Sequence, residues 1–136
     1  RVATAARDAL RYARAMTFDP DTLALLERTS EVDVETSGAD GAAHRTTIWV
    51  VVDGDQAFVR SYRGANACWY REATAHPAVA IHASGRRIAA TAVAAGDRKS
   101  VDRTSRALLA KYAGDPATPA MVREDVLATT LRIDPT

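Results

Sequence analysis

Arginine, glycine and aromatic residues crowd one short stretch of this chain, Arg60-Ser61-Tyr62-Arg63-Gly64-Ala65-Asn66, followed closely by Trp69-Tyr70-Arg71. A phosphate is held well by arginine's planar fork of donors, by backbone N–H groups in a glycine loop, and by a helix N-terminus. Arg60, Arg63, Gly64 and a helix opening near Cys68 supply all three, and Arg45 can join them from a neighbouring strand. Trp69 and Tyr70 offer flat surfaces to a ring-shaped ligand, since aromatic faces meet flat molecules at little entropic cost. Plainer readings stand beside these. The chain holds 16 Arg, so three within residues 60–71 are a mild excess, and arginines are mostly solvated. Trp49, inside the apolar run Ile48-Trp49-Val50-Val51-Val52, is expected in the core.

Other chemistries find less support. His44, His76 and His82 are scattered and the chain has one cysteine, Cys68, so no metal-ligand spacing occurs and no metal is expected. Cys68 at a helix start has the setting of an activated thiol, but a small half-buried cysteine is the commoner case. The alternating charges from Asp97 to Arg106 read as the solvated face of a helix. No Ser-His-Asp order, catalytic carboxylate pair or phosphate-binding P-loop is assigned.

The elements that must position these residues are short. Apolar spacing predicts a helix over Val2 to Met16, and Asp21 is placed as the cap of a second helix through Leu23, Leu25 and Leu26. Val32 and Val34 alternate with acidic residues as in a half-exposed strand, and turn residues 37–41 lead to a return strand from Arg45 to Asp53. A third strand runs from Ala57 to Tyr62 and places Phe58, Arg60 and Tyr62 on one face. A helix over Cys68 to Ala75 stops before His76-Pro77. Ala78 to Ser84 and Arg87 to Ala94 form a hairpin, Asp97 caps a longer helix that Gly114 ends, a short turn holds Met121 and Val122, and Thr129 to Ile133 is the sixth strand. The expected fold is mainly β with α: a six-stranded antiparallel split β-barrel with short helices. An open α+β sheet with helices on one face is the alternative. One domain is expected over 1–136, with residues 1–28 a helical segment and 30–135 the barrel.

The stretch from Arg60 to Asn66, with Trp69-Tyr70-Arg71 and His76-Pro77, resembles the strand, glycine loop, Trp-Tyr helix and closing proline of deazaflavin-dependent nitroreductase-like split barrels. Ile48-Trp49, Tyr62-Arg63-Gly64, Lys111-Tyr112-Ala113-Gly114, Pro119-Ala120-Met121 and residues 128–133 are similar, in order, to the bacterial family named domain of unknown function 2255. The wider superfamily includes pyridoxamine 5′-phosphate oxidases. The resemblance implies a homodimer, a cofactor groove shared by two subunits, and FMN or a deazaflavin coenzyme as the bound group. It adds Thr46 and Thr47, which sit where such barrels offer hydroxyl and backbone groups to the ring edge. The cofactor-binding set is then Arg45, Thr46, Thr47, Arg60, Ser61, Tyr62, Arg63, Gly64, Trp69 and Tyr70. Two departures stand out: no Gly-Arg-x-Ser-Gly pattern precedes Thr46, and Ala67-Cys68 stands where the nitroreductases carry His-Pro.

Composition narrows the partners. Net charge is +1 with 26% charged residues, too balanced for a nucleic-acid surface. No apolar run approaches the ~18 residues of a membrane span. A signal-peptide pattern is not visible and the single cysteine suits a reducing compartment, so a cytoplasmic home is expected. The activity expected is a flavin- or deazaflavin-dependent oxidoreductase acting on a small organic substrate. The alternatives are a barrel that binds a ligand without turning it over, or a cofactor-free enzyme reusing the groove.

Overall fold

The computed structural model describes residues 17–136, so the helix expected over Val2 to Met16 lies outside the described residues. The chain runs α1 (Pro20–Arg28), β1 (Val32–Ser37), β2 (Ala43–Ile48), β3 (Val50–Asp53), β4 (Gln56–Val59), a 3-10 turn (Gly64–Asn66), α2 (Cys68–Ala75), β5 (Ala78–Ala83), β6 (Arg86–Ala94), α3 (Arg98–Lys111), α4 (Thr118–Met121), a second 3-10 segment (Glu124–Thr129) and β7 (Leu131–Pro135). Both expected features of α3 are present: the Asp97 carboxylate accepts from the Ser100 N–H at 3.1 Å, and Gly114 has φ +84° just past the end.

All seven strands form one antiparallel sheet in the order β2-β1-β5-β6-β7-β4-β3. The first and last strands of that order, β2 and β3, are joined by Trp49 alone. Two residue steps span at most about 7 Å, so the sheet must curl until its two edges meet at this corner. That constraint makes the sheet a split barrel. It also explains the seventh strand: the return strand expected from Arg45 to Asp53 is broken at Trp49, where the chain leaves one edge and enters the other.

Two apolar clusters result. Val32, Val34, Val50, Val59, Ile81 and Leu131 fill the barrel interior with Leu26 of α1, and all are at most 2% exposed. Val51 and Phe58 face outward instead and pack under Leu108 of α3 and its cap residue Tyr112, with Met121 of α4. Neighbouring strand residues point to opposite faces, so one short hairpin feeds both clusters.

Some element ends differ from expectation. Asp19, rather than Asp21, caps α1, its side chain accepting from the Thr22 N–H at 2.7 Å. Pro20 decides this, because a proline without an N–H fits the first helical position and moves the cap back by two. The third strand stops at Val59, so Phe58 and Arg60 both face α3 while Tyr62 lies beyond the sheet and is 52% exposed. Thr129 and Thr130 bond back to the carbonyls of Val126 and Leu127 at 2.6 and 2.7 Å, which holds Thr129 as the last residue of the 3-10 segment and Thr130 as its cap and delays β7 to Leu131.

Candidate functional site

A groove of about 780 Å³ opens where β2 meets the corner at Trp49. Thr46, Thr47 and Ile48 all line it although successive side chains alternate, so the unpaired edge of β2 faces the groove together with its side chains. The opposite wall is the loop after β4 and the start of α2: Tyr62, Arg63, Asn66, Cys68 and Trp69. Ala117 and Met121, at α4, close a third side, and Glu31 stands at the rim as the carboxylate of the lining.

The aromatic wall is built from behind. Trp49 stacks on Tyr112 with ring centroids 3.8 Å apart and planes 6° from parallel. Tyr112 donates its hydroxyl to the Ser30 carbonyl at 2.7 Å, and burial pushes its pKa up to about 12. Lys111 places its ammonium 5.3 Å from the Tyr112 ring centre and donates to the carbonyls of Leu26 (2.9 Å), Thr29 (2.9 Å) and Val50 (2.6 Å). Those carbonyls belong to the C-terminal end of α1 and the first residue of β3, so one cation ties both to α3. Trp49, expected in the core, is half-buried and shows part of itself to the groove. Its placement was hidden in the sequence because an apolar run carries no mark of a corner.

The phosphate-type features lie on the opposite wall. Gly64 adopts φ +73°, its N–H bonds to the Ser61 carbonyl at 3.1 Å, and the Ser61 hydroxyl donates to the Gly64 carbonyl at 2.7 Å. This closed turn needs glycine's left-handed freedom. It presents Arg63, which is exposed and has no hydrogen bond or ion pair among the described residues. The turn runs into α2, whose cap residue Ala67 provides no side-chain acceptor, so the first N–H groups of the helix are left to water or a ligand.

Of the residues named from sequence, Thr46, Thr47, Arg60, Tyr62, Arg63 and Trp69 come together around the groove. Thr47 already donates its hydroxyl to Asp33 at 2.8 Å. Arg60 is 1% exposed, with its guanidinium bound to protein acceptors. Arg45 is outside the lining and pairs with Asp33 at 3.1 Å across β1 and β2. Ser61 and Gly64 shape the loop from beneath, and Tyr70 packs against the barrel core, edge-on to Trp69 with centroids 6.2 Å apart. Glu31, Ile48, Trp49, Asn66, Ala67, Cys68, Ala117 and Met121 complete the lining and were not placed in the cofactor-binding set from sequence. Asn66 ends the quoted loop and Cys68 opens α2, so both were within reach of the same reading.

Among the described residues no group of three or more His, Cys, Asp or Glu is placed to hold a metal, and no helix is long and apolar enough to cross a membrane.

The fold recurs in solved structures. A conserved hypothetical protein from Mycobacterium tuberculosis is similar at a TM-score of 0.66, with 13% identity over 90% of this chain and 82% of that one. HutZ, the heme storage protein from Vibrio cholerae, is similar at 0.60, with 15% identity over 89% and 92%. An F420-H2 dependent reductase is similar at 0.58, with 16% identity over 80% and 96%. Identities this low carry the split-barrel fold and nothing finer. No curated protein sequence matches the chain. A family model does, over residues 22–133, which takes in β1 to β6, the start of β7, the Trp49 corner and both walls of the groove. The chain therefore belongs to DUF2255, the uncharacterized proteins conserved in bacteria.

Proposed function

We propose that this protein is a flavin- or deazaflavin-dependent oxidoreductase acting on a small organic substrate, with the cofactor seated in the groove. The observation that carries the reading is the pairing of an uncommitted Arg63 at an uncapped helix start with the aromatic residues Trp49, Tyr62 and Trp69 in one cavity. Its volume of about 780 Å³ suits a ligand of cofactor size. The similarity to a reductase of the same fold supports the reaction class, and the similarity to a heme storage protein keeps a non-catalytic binding role as the second reading.

The residues present fit such a group. Arg63 and the free N–H groups of α2 would hold its phosphate, and Thr46 with the open edge of β2 would meet the polar rim of its ring. Trp49, held by Tyr112 and Lys111, would set the plane of the ring. A bound flavin or deazaflavin supplies the redox chemistry. The protein's own share is to orient that ring and to keep water from its face, with Glu31 at the rim as the carboxylate of the lining. We further propose that the working unit is a homodimer in the cytoplasm.

Visible absorption and fluorescence of the purified protein, followed by titration with FMN and with a deazaflavin coenzyme, test the reading. A bound flavin or deazaflavin spectrum and micromolar or tighter binding are expected. A colourless protein that binds neither would overturn it, and tight binding without turnover of any reducible substrate would favour the second reading.

A further inference from the structure

Arg60 carries a positive charge into the interior. It is 1% exposed, and its guanidinium donates to Thr130 Oγ1 at 2.9 Å, Ser105 Oγ at 2.9 Å, the Met121 carbonyl at 2.9 Å and the Val101 carbonyl at 3.1 Å. All four acceptors are neutral. Arg45, Arg87, Arg98, Arg103, Arg123 and Arg132 each pair with a carboxylate, whereas Arg60 has none among the described residues. Burial lowers its pKa to about 10 with no opposing contribution from an anion, and the group remains a cation at neutral pH. A buried charge is ordinarily retained only with a partner. Arg60 also forms part of the groove wall beside Met121, and the other charges lining the groove, Arg63 and Glu31, are exposed and therefore screened by water and salt.

We propose that Arg60 is a fixed electrostatic wall whose missing counter-ion is supplied by the ligand, so that the groove selects flat aromatic anions over neutral molecules of the same shape. Four of its five N–H groups are already committed, so it acts through its field rather than as a grip on the ligand. The proposal rests on the groove being the ligand site and is independent of which cofactor binds.

Two fluorescent probes that differ by one sulfonate test it: 1-anilinonaphthalene-8-sulfonate and neutral N-phenyl-1-naphthylamine. The quantity read is the ratio of their affinities, in wild type, Arg60→Met and Arg63→Ala, at low salt and at ~0.5 M salt. Arg60→Met should lower the ratio in favour of the neutral probe by about 10-fold, while Arg63→Ala lowers it by a few-fold at most, and only at low salt. Thr46→Trp, which fills the groove, should abolish both signals. If Arg60→Met does not fold, wild type decides alone: a ratio that survives high salt supports a buried source of charge, and one that collapses overturns it. An unchanged ratio in Arg60→Met also overturns the proposal while leaving the cofactor reading intact. Failure of both probes to bind, or binding indifferent to Thr46→Trp, removes the groove as the ligand site and the proposal with it.

Discussion

The two loop arginines have opposite fates, and the difference sets what each substitution should do. Arg63 is free in the described structure, so its removal should leave the fold unstrained and cost only the ligand contact. Arg63→Ala is expected to weaken cofactor binding by about 1.5 to 3 kcal/mol, roughly 10- to 150-fold, through loss of a charge-assisted bond. Arg106→Ala removes the same charge from the exposed face of α3 and should change the affinity little. Fluorescence titration of both variants at two salt concentrations separates a local contact from general charge, and equal losses would deny Arg63 the phosphate. Glu35 offers a second residue-scale test. Arg87 and His82 bond to its carboxylate at 2.9 and 2.8 Å and hold its pKa down at about 2, against an ordinary 4.5. A depressed carboxylate pKa stabilises the folded state above the unfolded value, and that contribution fades as pH falls from 4.5 toward about 2. Urea midpoints measured across this window should fall more steeply with acid for wild type than for Glu35→Gln.

Among the elements, caps and turns show where sequence reading succeeds. The bounds of α2, Cys68–Ala75, follow from His76-Pro77, and the start of α3 from Asp97, because proline sterics and capping are local rules that distant contacts seldom override. The cap of α1 shows how two local rules compete: Asp21 has the right chemistry, yet Pro20 occupies the first helical position and makes Asp19 the cap. Asp19→Ala should therefore cost about 0.5 to 2 kcal/mol, whereas Asp21→Ala costs appreciably less. Thermal melts of the two variants check this, and the reverse order would return the cap to Asp21. Gly64 sets the loop that presents Arg63. A Cβ there meets nothing nearer than the Asp125 carbonyl at 3.8 Å, so the cost of Gly64→Ala comes from its φ of +73° and is about 1 to 2 kcal/mol. Its melting temperature should drop, and cofactor affinity with it.

For the whole molecule, strand alternation, hairpin turns and the motif order made the barrel legible, while the groove was visible only on its loop side. Arg60 illustrates the limit. Alternation correctly put it on the face of Phe58, but nothing local announces that α3, α4 and Thr130 close over that face and bury the guanidinium. The corner at Trp49 is likewise a property of the strand order, which no window of sequence contains. The homodimer proposal rests on the family resemblance, which implies a cofactor groove shared by two subunits. Sedimentation should give twice the 14.6 kDa chain mass at micromolar concentration. A monomer unaffected by cofactor would contradict that assembly.

The one-residue link between β2 and β3 has an evolutionary corollary. Because Trp49 is the single residue between β2 and β3, chain length at that point caps the gap between the two edges of the sheet. Adding a glycine beside Trp49 would lengthen the tether between the core residues Ile48 and Val50 without replacing either. Descendants of this fold thus have a way to alter the width of the groove by an insertion at this junction while every existing side chain is kept.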